Sequence, residues 1–403
     1  MTRTVVIGGG HAGAQVVASL RQEGYEGEVV LICEEPVLPY QRPPLSKAYL
    51  AGEQPLERTL LRPEKFYADK GIELKLGIRV DSIDPKAKTV ALSNGDTLDW
   101  THLVIATGSH VRRLPLPGVE LQGVHYLRTL ADVDGIRADM GEGKRLVIVG
   151  GGYIGLEVAA VAVQAGLDVT VLEMEQRILQ RVTTPAMSEY YHGVHTKAGV
   201  KIHCGAAASE LLGSERVTGV KCTDGSELPA DLVIIGAGIL PTTELAEAAG
   251  LDVDNGILVD DHCRTSAADV YAIGDCTNHP SALLERRLRL ESVPNAMDQA
   301  RVAAANICGK DKVYDAVPWF WSDQYDLKLQ MVGFSSGADV EVVRGDPEAN
   351  AFARFYLRDG VVIAVDAVNS PREFMAAKQL VADKARVDPT QLADESVAIK
   401  DLL

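Results

Sequence analysis

Two short stretches carry the residue types and spacing that can hold a nucleotide. Gly8-x-Gly10-x-x-Gly13 follows the apolar run RTVVIG, and Gly150-x-Gly152-x-x-Gly155 follows KRLVIVG. Small and apolar residues at helical spacing come next, from His11 to about Gly24 in one case and from Tyr153 to about Ala165 in the other. A second strand-like run then ends in an acid, Glu34 in EVVLICEE and Glu173 in DVTVLE. Each part has its own task. One glycine makes a tight turn, one lets backbone N–H groups approach a pyrophosphate, one lets helix pack on strand, and the carboxylate accepts from ribose hydroxyls. The pattern predicts two dinucleotides in one chain, with Tyr153 and Ile154 beside the second.

Two dinucleotides suggest a relay. A nicotinamide gives up a hydride as an electron pair, whereas a flavin accepts a pair and releases single electrons, so the first loop is expected to hold FAD and the second NAD(P)H. At the second loop Glu173 would face the ribose 2′-hydroxyl, with Glu175 adding charge nearby. A 2′-phosphate would meet those carboxylates with only Arg177 to offset them, which favours NADH over NADPH.

The elements that position these loops imply an α/β chain with two Rossmann-like dinucleotide-binding domains and a small α+β C-terminal domain. At 403 residues, two to four domains are expected. THLVIATGS is a strand running into Thr107 and Gly108, and Pro115 and Pro117 mark a crossover. The second nucleotide unit ends at DLVIIGAGILPTT, a strand with a glycine exit that includes Gly238, and DVYAIGD is again a strand leading to Asp275. From about Val317 the pattern changes to alternating strands, then to SPREFMAAKQLVADKA, a helix with Ser370 as its cap. The expected division is 1–109 with 240–316, then 110–239, then 317–403.

Composition narrows the class. A net charge of −16 argues against nucleic acid or an anionic membrane as partner. No apolar run approaches the ~20 residues of a spanning helix, and a strand begins within a few residues of the N-terminus, so a cytoplasmic protein is expected. The six cysteines, Cys33, Cys204, Cys222, Cys263, Cys276 and Cys308, show no CxxC and no metal-ligand spacing, so buried or indifferent thiols and no metal site are expected.

Seven separated motifs resemble the FAD-dependent, NADH-using ferredoxin reductases of bacterial oxygenase systems. They are GGGHAG (Gly8 to Gly13), LPYQRPPLSK (Leu38 to Lys47), VIATGS (Val104 to Ser109), GGGYIGLE (Gly150 to Glu157), VYAIGDC (Val270 to Cys276), RLESVPNAMDQA (Arg289 to Ala300) and PWFWSDQY (Pro318 to Tyr325). The resemblance spans essentially the whole chain and implies a glutathione-reductase-like flavoprotein. It implies that Arg42 and Lys47 lie at the flavin and that Asp275 contacts the ribityl and pyrophosphate part of FAD. The helix starting near Val293 would point its N-terminus at the flavin ring, where helix N–H groups stabilise negative charge. Lys47 and Glu157 are implied to pair near the reactive flavin nitrogen, and Trp319 or Trp321 to lie between flavin and acceptor.

The implied activity is NADH:ferredoxin oxidoreduction serving a haem-thiolate monooxygenase or a ring-hydroxylating dioxygenase, by a monomer or weak dimer. The partner is an acidic 2Fe-2S ferredoxin, and Arg286, Arg287 and Arg289 form the local basic spot that would dock it. The alternatives are a redox-sensing or scaffold flavoprotein of the apoptosis-inducing-factor type and a thiol-independent NADH oxidase. Disulfide reductases and NADH peroxidases of this architecture need a cysteine where Pro44-Leu45-Ser46-Lys47 stands.

Overall fold

Runs such as Val5-Val6-Ile7 and Leu146-Val147-Ile148 are apolar on both faces, as the strands of a parallel sheet covered on both sides are. In a computed structural model, which describes residues 2–402, each run is the middle of such a sheet. The chain packs as two units. One takes in the chain up to Arg42, then Leu56–His110 and Leu240–Phe320; the other takes in Pro43–Pro55, Val111–Ile239 and the chain from Trp321.

The first unit centres on a sheet in the order Val270–Ala272, His102–Ile105, Arg3–Ile7, Glu28–Cys33, Ile72–Leu76, parallel throughout. The helices His11–Gln22 and Val293–Ile307 pack on each other, and Val17, Ala300 and Ala303 share a core with Val6, Leu31 and Val104. In the second unit the parallel order is Lys201–Cys204, Asp168–Glu173, Arg145–Val149, Leu232–Ile235, Val124–Tyr126. A further sheet in the order Trp319–Gln324, Leu327–Gly333, Val361–Val368, Ala351–Arg358, Val340–Asp346 is covered by the helix Pro371–Ala382. Among the described residues no helix is long and apolar enough to cross a membrane.

Local chemistry moves several expected boundaries. The first helix stops at Gln22, because Gly24 turns left-handed with φ +85°. The second strand stops at Cys33, leaving Glu34 exposed beyond it. Residues 43–55, read from sequence with the first nucleotide unit, pack in the second. Ser370 precedes its helix without capping it, since its hydroxyl turns back to Val368 O at 2.9 Å.

One buried acid has no counter-ion in its hydrogen-bond set. Asp366 is 7 % exposed, and its Oδ2 accepts from Thr183 Oγ1 and Tyr356 Oη, each at 2.8 Å. Burial outweighs those two donors and pushes the carboxyl up to about 6. The folded chain therefore binds a proton there that the unfolded chain releases, so stability from this group is full below pH 4 and is lost as pH rises through 6. The gap corresponds to about 3 kcal/mol. Asp366→Asn keeps an acceptor for both hydroxyls and removes the titration. Its urea-unfolding free energy is expected to lack this rise between pH 7 and pH 4; a profile parallel to the parent's would refute the assignment.

Candidate functional site: two glycine loops and a buried ion pair

Each glycine in the two loops has a distinct physical reason. Gly8 has φ +114°, and a Cβ there would stand 2.2 Å from Ala106 O; Gly150 has φ +118°, and its Cβ would stand 2.4 Å from Gly236 O. At Gly13 a Cβ would meet Gly8 O at 1.9 Å, and at Gly155 it would meet Gly150 O at 2.2 Å. The middle glycines differ, because a Cβ on Gly10 or Gly152 would meet nothing within 4 Å. Both are extended N-caps with no side chain bonded to the helix start. The outer glycines thus let the chain fold against itself, and the middle ones leave the helix N-terminus open to an anion. A pyrophosphate fits that open side in both loops.

Around the first loop, Gly274 brings two helix starts together: its Cβ would lie 3.2 Å from Ala12 Cβ and 3.7 Å from Ala296 Cβ. Val293 opens the second of these helices behind the cap Ser292, whose Oγ accepts from Asn295 N at 3.2 Å. Asp275 follows Gly274 and accepts from Ser109 Oγ at 3.0 Å. Thr107 Oγ1 donates to Thr242 O at 2.7 Å, and Gly108 has φ +68°. Arg42 is clasped by Glu35 at 2.5 Å and by the Tyr40 hydroxyl at 2.6 Å. Trp319 is half-buried and falls in the first unit, whereas Trp321 falls in the second.

Around the second loop, Glu173 ends its strand as the sequence predicts, and its carboxylate is turned onto backbone. Oε2 accepts from Gly151 N and Oε1 from Glu175 N, both at 2.8 Å. It therefore braces the loop, and each oxygen keeps a lone pair for a ribose hydroxyl. Arg177 is drawn aside by Ser188 Oγ and by Gln180 O. Tyr153 points its hydroxyl at Met331 Sδ, 2.8 Å away, and burial pushes its pKa well up. Ile154 is 44 % exposed, and Gly238, with φ +92°, faces Arg181.

Lys47 and Glu157 meet. Lys47 Nζ lies 2.7 Å from Glu157 Oε2 although the carboxylate is only 4 % exposed. Two hydroxyls complete the arrangement, Ser46 Oγ on Oε2 at 2.5 Å and Ser322 Oγ on Oε1 at 2.6 Å. Ser46 ends the 3-10 turn Pro43–Ser46, which also gives Lys47 a contact with Pro43 O at 3.3 Å. Neither serine stands out from sequence. Ser46 was legible only as part of the loop Pro44-Leu45-Ser46-Lys47 that lacks a cysteine, and Ser322 follows aromatic neighbours that draw the eye.

The arginine run divides. Arg287 donates to Val259 O at 2.7 Å and to Asn278 O at 2.5 Å, and Arg289 is paired with Glu291 at 2.5 Å. The three members of the expected basic spot therefore differ in what they touch. Arg287 keeps its charge while bonded to these carbonyls, and it and Arg286 are both exposed, whereas Arg289 is half-buried. No cysteine among the described residues forms a disulfide, and burial pushes the Cys33 thiol up to about 12.

Two like-built nucleotide loops, each on a parallel sheet, define a two-dinucleotide oxidoreductase. The chain belongs to the pyridine nucleotide-disulphide oxidoreductase family, whose model matches residues 2–300, and a reductase C-terminal model matches residues 319–403. It is 47% identical, over 99% of its length and 97% of the relative's, to the 5,5'-dehydrodivanillate O-demethylase ferredoxin reductase subunit of Sphingobium sp.. It is 46% identical, over 99% and 96%, to putidaredoxin reductase of Pseudomonas putida. The crystal structure of the covalent putidaredoxin reductase–putidaredoxin complex matches with a TM-score of 0.96 at 46% identity, covering 100% of this chain and 98% of that one.

The glycine geometry separates fold from binding. Gly150→Ala is expected to lower stability by at least about 2 kcal/mol, because it combines a left-handed φ with a backbone clash. Gly152→Ala should melt with the parent yet bind NAD+ at least about tenfold more weakly. Equal melting of both variants, or unchanged NAD+ binding by Gly152→Ala, would show that the loop works otherwise.

Proposed function

We propose that this enzyme, an FAD-dependent NADH:ferredoxin reductase, delivers electrons to an acidic 2Fe-2S ferredoxin and uses Lys47 and Glu157 as the charge pair at its flavin. The observation that carries this reading is a lysine held at 2.7 Å by a buried carboxylate that two further hydroxyls keep in place. FAD, when bound, accepts the electron pair of NADH and yields single electrons. Gly10 and Gly152 open the helix N-termini to the pyrophosphates of FAD and NADH, while Gly8 and Gly13, and likewise Gly150 and Gly155, shape the two turns, the Gly8 and Gly150 N–H groups being given to Ile32 O and Leu172 O. Arg42, Thr107, Gly108, Asp275, Val293 and Trp319 line the FAD side; Tyr153, Ile154, Glu173 and Gly238 line the NADH side. Glu34, exposed just past its strand, is the ribose ligand of the first loop.

Lys47 places one positive charge where the flavin becomes negative, and Glu157 offsets the cost of holding that charge in a partly dry setting. Glu173 and Glu175, with Arg177 turned away, suit a ribose whose 2′-hydroxyl is free. Six thiols without a disulfide suit the reducing cytoplasm. A monomer or weak dimer is the assembly proposed. The oxygenase served is of the haem-thiolate or the ring-hydroxylating type, and turnover with ferredoxins of each system separates the two.

Lys47→Ala should keep its FAD and slow flavin reduction by NADH roughly ten- to a thousandfold. Stopped-flow absorbance measures this directly, and a wild-type rate would remove Lys47 from the chemistry.

A net charge of −16 repels an acidic partner, so docking needs a local cation. Arg286, Arg287 and Arg289 are the proposed spot, and Arg286→Ala is expected to lower ferredoxin-dependent cytochrome c reduction at low salt, with the deficit fading as the Debye length falls below about 10 Å. Flavin reduction by NADH should be untouched. Superimposable salt curves for variant and parent would move docking elsewhere, with Arg58 and Arg62 the next to test.

A further inference from the structure

The hydrogen bonding that reaches Glu157 does not begin at Ser322. Gln324 Nε2 donates to Ser322 Oγ at 3.1 Å, and Gln324 Oε1 lies 2.7 Å from His195 Nε2. His195 Nδ1 lies 2.9 Å from the Tyr325 hydroxyl. Ser322 and His195 are 0 % exposed and Gln324 1 %, so water does not interrupt the series.

The direction of every bond follows from its end. Glu157, as the carboxylate partner of Lys47, has no proton to give, so Ser322 must donate to it. Ser322 has one proton and can then only accept from Gln324, which turns the amide nitrogen towards Ser322 and the oxygen towards His195. That oxygen only accepts, so the imidazole carries its proton on Nε2, and Nδ1 accepts from Tyr325. Burial lowers His195 to about 4, in keeping with a neutral ring in a single tautomer.

Tyr325 adds an independent observation. It stands in the two-residue connection between Trp319–Gln324 and Leu327–Gly333 with φ +57°. Hairpin connections give that conformation to glycine or asparagine, and a tyrosine there is costly unless something holds it. Its side chain is engaged by the hydroxyl contact with His195, whose ring centroid lies 5.1 Å from its own.

We propose that Tyr325, His195, Gln324 and Ser322 form a one-way series of donors ending on Glu157, and that His195 is a positioning residue for flavin reduction, acting through the Glu157 carboxylate on Lys47. This rests on the reading of Lys47 and Glu157 as the charge pair at the flavin. Without the Nε2 proton of His195, the Gln324 amide is free to turn over. Its oxygen would then take the Ser322 proton, and Glu157 would lose the donor that fixes Oε1.

The test uses the full-length, FAD-loaded enzyme and measures flavin reduction by NADH in stopped flow, with nitrogen-15 NMR of the imidazole as a readout independent of turnover. His195→Leu is expected to lower the limiting rate about tenfold with the half-saturating NADH concentration unchanged. His195→Gln, which restores an N–H at the Nε2 place, should recover most of the rate. In a Glu157→Gln background His195→Leu should add no further loss. The NMR signals should report a neutral, Nε2-protonated ring. A wild-type rate for His195→Leu beside a slow Lys47→Ala overturns the series alone, whereas a wild-type rate for Lys47→Ala overturns the pair on which it rests. An Nδ1-protonated ring, or an equal loss from His195→Leu with and without Glu157, also overturns it. If His195→Leu does not fold, Tyr325→Phe, expected to slow reduction about threefold and to shift the imidazole signals, decides in its place.

Discussion

A carboxylate taken out of water must be met by charge and by donors, or it will not stay. Glu157 is where that requirement bears most heavily on this chain. It sits in the first turns of a nucleotide-loop helix, where the sheet behind and the glycine loop before it leave little room for solvent. Meeting its demand draws in residues from far-apart parts of the sequence: Lys47 and Ser46 from a proline-stiffened turn, and Ser322 from the strand Trp319–Gln324. The acid thus fixes the place of a lysine as much as the lysine fixes the acid. Asp366, answered by two hydroxyls alone, shows the contrasting outcome, with its carboxyl pushed up to about 6.

The two glycine loops show how one local solution is reused. Their crowded outer glycines and open middle glycines correspond position by position, because in both the turn folds back on the same two neighbours, a following strand exit and its own first carbonyl. The acids that follow them differ. Glu173 is folded back onto its own loop, whereas Glu34 stands exposed past the end of its strand. Similar spacing therefore gave similar backbone and different carboxylate environments.

What sequence could show depended on how far apart the cooperating groups lie. Strand, glycine turn and helix are local, so both nucleotide units were legible from period and spacing. The approach of Lys47 to Glu157, more than a hundred residues away, was legible only through resemblance to a family. Ser322, Gln324 and His195 were not legible, since a polar residue inside an aromatic strand or helix has no pattern that announces its partner. What the arginine run touches was hidden for a related reason. Charge is written in the sequence, but the carbonyls that Arg287 clasps, Val259 O and Asn278 O, are brought to it by chain that folds around it.

The chain passes between its two packing units five times, at 42/43, 55/56, 110/111, 239/240 and 320/321. Neither unit is therefore a contiguous stretch that can emerge from the ribosome and close by itself. The N-terminal loop that cradles the first dinucleotide is made first, yet Gly274, Asp275 and the helix Val293–Ile307 that complete its surroundings arrive some 265 residues later. Sheets closed by such distant segments carry a large loop-closure cost before any contact rewards it. During synthesis the first unit must wait, open and partly apolar, for its last segment, Leu240–Phe320, which makes the interval before residue 320 a period when this protein needs protection from aggregation.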